Sequence, residues 1–273
     1  MIKNILLTLL GCGILFSMST HSIAAEKITI CGTGDSQALL RLLAAAFEKD
    51  NAGTNVEVPD SIGSSGGIKA TFKGKCDLGR IARPLKKKEE KYELSWLFFA
   101  KSPIVFFANL SLTNIPSLTS KQIVSIYSGQ TILWQDIGNL SGRIYVASRE
   151  CGDSSRSGVE KNLSGFKEIQ NYAGKILYTT PETVKTVLQN NNTIGYSPLS
   201  ALLGRENVHI FHIDNVVPDQ SSVTDGSYDL ITPLGLVWRK GVSEHALQFI
   251  NFLGSPEAVN IIIDAGAFPV PIK

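Results

Sequence analysis

Pro59-Asp60-Ser61-Ile62-Gly63-Ser64-Ser65-Gly66-Gly67-Ile68-Lys69-Ala70-Thr71-Phe72-Lys73-Gly74-Lys75-Cys76-Asp77-Leu78-Gly79-Arg80-Ile81-Ala82-Arg83-Pro84-Leu85 packs a loop, a helix and a strand into one short run. A strand over 54–58 leads into its Ser/Gly turn. The turn opens a helix near Ser65, Gly74 stops that helix, and a second strand is expected over 76–79. Gly63, Gly66 and Gly67 lack a Cβ and let backbone come close to a ligand. The hydroxyls of Ser64 and Ser65 stand beside the unpaired N–H groups of a helix start, a combination that suits an anion. The plainer alternative is a loop that only caps its helix.

The same order occurs upstream. A strand over 27–31 runs into Gly32-Thr33-Gly34-Asp35-Ser36, and Leu39, Leu43, Ala46 and Phe47 then recur at helical spacing over 37–50. Strand, loop, helix and strand in succession make the βαβ unit of a parallel sheet, so the fold class is α/β. Ligands of such sheets bind where loops leave the carboxyl ends of the strands. A third turn of this kind follows a strand over 143–147. It reads Arg149-Glu150-Cys151-Gly152-Asp153-Ser154-Ser155-Arg156-Ser157-Gly158. Arg149 offers the planar fork that matches a tetrahedral oxyanion.

Elsewhere the chain is more ordinary. The charge run over 86–91 reads as a solvated helical face. Apolar strands are expected over 96–100 and 104–109. Thr119-Ser120-Lys121-Gln122 forms a capping box for a helix that ends by Gly129. Thr180-Pro181-Glu182-Thr183 starts another helix, and Ser243 and Ser255 cap the last two. Short strands are expected over 193–196, 208–213 and 234–238. His209 and His212 fall on opposite faces of their strand, so no metal pair is expected there.

The chain has 273 residues, 43% hydrophobic and 18% charged, which is globular and long enough for two domains. A net charge of +2 gives no polybasic surface for nucleic acid or anionic membrane. Lys3, the apolar run 5–18 and the small residues near Ala24 and Ala25 make residues 1–25 a signal peptide, cleaved near Ala24 to Glu26. No later segment reaches the ~20 apolar residues that span a bilayer. An exported, periplasmic protein is therefore expected. Cys31, Cys76 and Cys151 would remain after cleavage, an odd number; a disulfide and buried thiols are both open.

Together these residues resemble a known family, the periplasmic phosphate-binding proteins of ABC transporters, over nearly all of the mature chain. Gly32-Thr33-Gly34-Asp35-Ser36 is similar to its first ligand loop, and Ile62-Gly63-Ser64-Ser65-Gly66-Gly67 to its most specific motif. Cys76-Asp77-Leu78-Gly79 through Pro84-Leu85, Ile126-Tyr127-Ser128-Gly129 through Trp134-Gln135-Asp136, and Ile194-Gly195-Tyr196 match further segments. Arg149 with Gly152-Asp153-Ser154-Ser155 resembles the arginine loop.

The resemblance implies a two-lobed periplasmic-binding-protein fold of type II. Each lobe would be a mixed, mostly parallel sheet flanked by helices, and two strands would cross between them. Residues 26–108 and 231–273 would form the first lobe and 109–230 the second. It implies a ligand set of Gly34, Asp35, Ser36, Ser64, Ser65, Arg149, Asp153, Ser154 and Ser155, with Arg80, Ala82 and Arg83 as further candidates. Two departures stand out. Ala82 occupies the place where the family has an aspartate that accepts the phosphate proton, and Asp153 stands where it has a serine. Asp153 is thus either a replacement acceptor or only a helix N-cap.

The implied function is capture of inorganic phosphate by a monomer for an inner-membrane ABC permease, without cofactor or metal. The alternatives are sulfate, molybdate or a phosphonate in the same fold, or a sensor or adhesion component without a transporter. An enzyme is not expected. Gly63-Ser64-Ser65-Gly66-Gly67 lacks the Gly-x-Ser-x-Gly spacing of a nucleophile elbow, and only four histidines are present.

Overall fold

The computed structural model describes residues 26–272. The expected signal peptide lies outside the described residues. The first half begins as the sequence suggests, with β1 (Glu26–Gly32), α1 (Gln37–Asp50) and β2 (Thr54–Glu57). Ile28 and Ile30 of β1 and Leu39, Leu40, Leu43 and Phe47 of α1 are buried against one another, which is what alternation in a strand and i, i+3, i+4 spacing in a helix provide. α2 (Gly63–Phe72) starts two residues before the expected Ser65. At Gly67 a Cβ would stand 2.7 Å from the Gly32 Cα, so only glycine lets α2 lie this close to the end of β1.

β3 (Leu78–Ile81) lies two residues beyond its expected place, 76–79. Asp77 fixes the entry: its carboxylate accepts from the Thr29 N–H at 2.8 Å and its own N–H donates to the Thr29 carbonyl at 3.0 Å. β3 is buried along its whole length, so Arg80 lies inside the protein. Cys31 and Cys76 form a disulfide, which resolves the question the sequence left open, and Cys151 is free and exposed.

α3 (Lys87–Glu90) is a single turn. It corrects the reading of this run as wholly solvated: Glu89 is buried, because it faces Arg83. β4 (Ser95–Asn109) is one 15-residue strand instead of two. Lys101-Ser102-Pro103 looks like a break because proline cannot donate to a ladder. Here it is the point where the partners change. Up to Pro103, β4 pairs with a later strand, and from Ile104 onward it pairs with others.

The second half holds β5 (Ser117–Leu118), α4 (Ser120–Tyr127) with its Thr119 capping box, β6 (Tyr145–Arg149), α5 (Ser154–Asn162) and β7 (Lys175–Leu177). Then come α6 (Thr180–Gln189), capped by Thr179, β8 (Thr193–Pro198), β9 (Val208–Ile213) and α7 (Gln220–Asp225). The chain returns through β10 (Ile231–Trp238) and closes with α8 (Glu244–Phe252), α9 (Pro256–Asp264) and β11 (Phe268–Pro269).

The strands run β2-β1-β3-β10-β4-β8-β6-β7. β1 is parallel to β2 and β3, β6 is parallel to β7 and β8, and β10 is antiparallel to both β3 and β4. Each half has its own core, one around Ile30, Phe47, Phe99 and Phe249, the other around Phe106, Tyr127, Phe166 and Tyr196. This is the mixed α/β, two-lobed architecture. Ile104, Phe106 and Ala108 pack in the second core, although the expected boundary placed them in the first lobe. β4 and the Leu230–Ile231 link carry the chain between the halves, where the Ile104 N–H donates to the Leu230 carbonyl at 2.7 Å.

Candidate functional site

The parallel strands β1, β3, β6 and β7 all end on one cleft. From β1 comes the loop Thr33 to Ser36, from β3 Ala82 and Arg83, from β6 Arg149 to Asp153, and from β7 Tyr178 to Thr180. The start of α2 adds Ser64 and Ser65 and the start of α5 adds Ser154 and Ser155. A helix start leaves N–H groups unpaired, so two positive helix ends serve the same space. The cleft encloses about 130 Å³ and is lined by Gly34, Ser64, Ser65, Arg83, Arg149, Asp153 and Ser154, with Thr33, Ser61, Ile62, Glu150 and Tyr178 around them.

The lobes meet across this cleft. Ser64 Oγ lies 3.1 Å from Ser154 Oγ and also accepts from the Ala82 N–H at 3.1 Å. Asp35, Ser36 and Ser155 sit behind the wall, each at most 1% exposed. The Thr180 hydroxyl donates to Asp35 Oδ1 from the opposite lobe. Gly34 is packed so closely that a Cβ there would stand 2.6 Å from Pro181 Cδ.

Arg149 is 2% exposed, so its orientation is fixed by partners. Nη1 donates to Thr180 Oγ1 at 3.2 Å and to Thr183 Oγ1 at 3.0 Å, and Nη2 pairs with Asp153 at 2.5 Å. Asp153 also caps α5 by accepting from the Arg156 N–H at 3.0 Å. Both carboxylate oxygens of Asp153 are engaged, which favours the N-cap reading over the replacement acceptor. Arg156 turns away. It donates to the Arg149 carbonyl at 2.8 Å, pairs with Glu160 at 2.6 Å and covers the Tyr172 ring.

The two arginines flanking Ala82 have different fates. Arg80 is corrected from ligand candidate to scaffold. It is fully buried, and its guanidinium donates to the carbonyls of Thr33, Ile30, Gly32 and Pro59 at 2.8–3.2 Å. Those donors hold the backbone of the loop that follows β1. Burial, with the nearby Arg41 charge, lowers its pKa to about 9, still protonated at neutral pH. Arg83 does face the cleft, but it is paired with both oxygens of Glu89 at 2.8 Å and donates to Ser65 Oγ at 2.8 Å. Burial opposes ionisation of Glu89. Arg83 and the Lys86 N–H outweigh it and hold that carboxylate below its ordinary range. Ala82 contributes its backbone N–H, through Ser64.

Thr180, Thr183, Glu89 and Tyr178 join this site without a signal in the sequence that singles them out. Thr180 and Thr183 are visible there only as a helix start. A threonine pair on the first turn of a helix that faces an arginine is the signal that would find them. A larger cavity of about 790 Å³ opens at the other end of β6, lined by Arg143, Tyr145, Asn190 and Thr193 among others. None of its lining residues carries a buried polar atom lacking a partner, whereas Asp35, Ser36, Arg149 and Ser155 each do.

The chain matches the family model described as PBP superfamily domain over residues 18–257. The phosphate-binding protein PstS 2 of Streptococcus pneumoniae is 33% identical over 132 residues, 45% of this chain and 44% of that protein. PstS 2 of Streptococcus agalactiae is 28% identical over 115 residues, 42% and 39% of the two chains. The matched region thus spans less than half the length of these curated relatives. A phosphate-bound crystal structure from Clostridium perfringens, provisionally named a phosphate ABC transporter substrate-binding protein, superposes with a TM-score of 0.80 at 26% identity. It covers 90% of this chain and 100% of that one. An ABC-type phosphate transport receptor from Vibrio cholerae, at 22% identity and a TM-score of 0.64 over 89% of this chain and all of its own, shares the fold. With its two-lobed sheet, its cleft and a family match over most of its length, the chain belongs to the PBP superfamily.

Proposed function

We propose that this chain is an exported, monomeric binding protein that captures inorganic phosphate between its lobes and delivers it to an inner-membrane ABC permease, without chemical turnover. The observation that carries the reading is the convergence of Ser64, Ser154, Arg149 and two helix starts on one small cleft. Similarity to the phosphate-bound Clostridium perfringens protein supports it. The energetics are sufficient. Micromolar binding needs about 8 kcal/mol, and a hydrogen bond to a charged group contributes about 1.5–3 kcal/mol, so five or six donors suffice after ordering costs. The rigid Arg149 fork suits a tetrahedral anion held at two oxygens.

Titration calorimetry of the mature protein with inorganic phosphate tests this. Saturable binding at one site per chain, in the micromolar range or tighter, is expected. No heat and no competition with phosphate at millimolar concentration would contradict it.

A further inference from the structure

The net charge of +2 averages over an uneven surface. Seven lysines fall between residues 69 and 91, and each is exposed. The acids of that run are mostly engaged. Asp77 accepts from the Thr29 N–H, and Glu89 is buried against Arg83. Glu90 is the exposed acid among them, with Glu93 just beyond. The expectation of no polybasic surface, drawn from net charge alone, is thereby corrected.

The fold gathers this run on one face of the first lobe. Lys69, Phe72 and Lys73 are neighbours on the outer side of α2, because Ser64, Ile68 and Thr71 bury the other side. The segment 83–92 runs beside that helix. Arg83 donates to Ser65 Oγ at 2.8 Å near the helix start, and the Tyr92 ring lies 4.4 Å from the Phe72 ring near its end. α3 and Lys91 therefore lie alongside α2, with Lys91 Nζ 5.6 Å from the centre of the Tyr92 ring. The Arg239 guanidinium lies against Gly74, where α2 stops, and so adjoins Lys75. Aromatic rings stand among these charges. Phe72 and Trp96 are each 45% exposed. Trp96 packs on Phe98 at 5.2 Å, and both Phe98 and Tyr92 rest on one small apolar cluster of Ile68, Ile81, Leu94 and Val237.

We propose that this lysine-rich, aromatic face of the first lobe docks on an anionic lipid membrane surface. The proposal goes beyond the capture of a solute and is independent of what the cleft holds. The composition of the face favours a membrane over an acidic peptide. Lysines are point charges on flexible stems and suit a diffuse sheet of headgroup charge, whereas recognition of single carboxylates favours the arginine fork. The anion cleft and the larger cavity are both lined by residues outside this face, so neither supplies it with a groove for a peptide. Exposed Trp and Phe among cations are the side chains that settle at a membrane–water interface, with the ring among the headgroups and the charges beside it.

The test is sedimentation of the mature protein with vesicles of phosphatidylcholine alone and of phosphatidylcholine mixed equally with phosphatidylglycerol, without phosphate present. Binding to the anionic vesicles only is expected, weakening as salt is raised. Each lysine brought to such a surface strengthens binding by roughly fivefold. Reversing four of them together, Lys73→Glu, Lys75→Glu, Lys88→Glu and Lys91→Glu, should therefore weaken it by at least about a hundredfold. Calorimetry with phosphate should be unaltered in that variant, since none of the four lines the cleft. A second readout uses the wild type. Trp134 is fully buried and Trp238 half-buried, so a blue shift of tryptophan emission on adding anionic vesicles reports Trp96, and Trp96→Phe should abolish it. No sedimentation with anionic vesicles, equal binding to phosphatidylcholine alone, or undiminished binding by the fourfold variant would overturn the proposal. Should that variant not fold, the wild type decides: emission that does not shift overturns it. Capture of a glutamate-rich peptide without capture of vesicles would assign the face to a protein partner and likewise overturn it. Failure to bind phosphate would overturn only the reading of the cleft, because the vesicle assay does not depend on it.

Discussion

Arg149 and Arg80 show how much a side chain's job depends on what it meets. Arg149 is aimed by Thr180, Thr183 and Asp153, so little entropy would remain to be lost were it to grip a ligand as proposed. Arg149→Ala is expected to weaken phosphate binding by roughly tenfold to a thousandfold, and Arg149→Lys to fall between, because lysine lacks the fork. Calorimetry at matched fold stability checks this, and unaltered affinity would remove Arg149 from the site. Arg80 instead satisfies four backbone carbonyls in the interior. Arg80→Met should therefore cost at least about 3 kcal/mol in urea unfolding, since it strands buried acceptors. An unshifted midpoint would show that those bonds contribute nothing. Asp35 has a stability signature of its own. Its pKa rises from 3.8 to about 6 on folding, so the folded state holds its proton more tightly. Stability should fall as pH rises through that window, by about 3 kcal/mol for this group, and level off above it. Asp35→Asn should remove that slope, as chemical denaturation of the ligand-free protein across the window would reveal.

Loops and helix starts decide how closely the lobes approach. The tightest place is Gly34 against Pro181 at the start of α6, where a methyl group has no room. Gly34→Ala should wedge the lobes apart at about 1–3 kcal/mol, weakening phosphate by roughly five- to a hundredfold. Pro181→Ala added to it should restore part of the affinity, and a double variant as weak as Gly34→Ala alone would locate the clash elsewhere. The Cys31–Cys76 bond ties the end of β1 to the entry of β3 across 45 residues, worth about 4 kcal/mol if the unfolded loop is otherwise random. Much of this was legible in the chain. The βαβ succession and the three Ser/Gly turns follow from local chemistry, because alternation, caps and glycines act within a few residues. Non-local features were not. β3 is shifted because Asp77 binds Thr29, far back in the chain, and β4 is continuous because its partners change at Pro103. Likewise Arg80 and Arg83 look equivalent in sequence, and only the carbonyls of the first loop and the buried Glu89 separate them.

At the scale of the molecule, one long strand and one return link join two halves whose largest apolar clusters are distinct, and the cleft lies between those halves. Few covalent crossings suit closure around a ligand better than a fused core would. The Ser64–Ser154 and Asp35–Thr180 contacts are the surfaces that closure brings together. The central claim is that phosphate is held there. A crystal structure of the mature protein grown with inorganic phosphate tests it most directly. The account predicts one phosphate between the lobes, within hydrogen-bond reach of Ser64, Ser154 and the Arg149 guanidinium. Phosphate found only outside this cleft, or a cleft holding no anion at saturating phosphate, would contradict it.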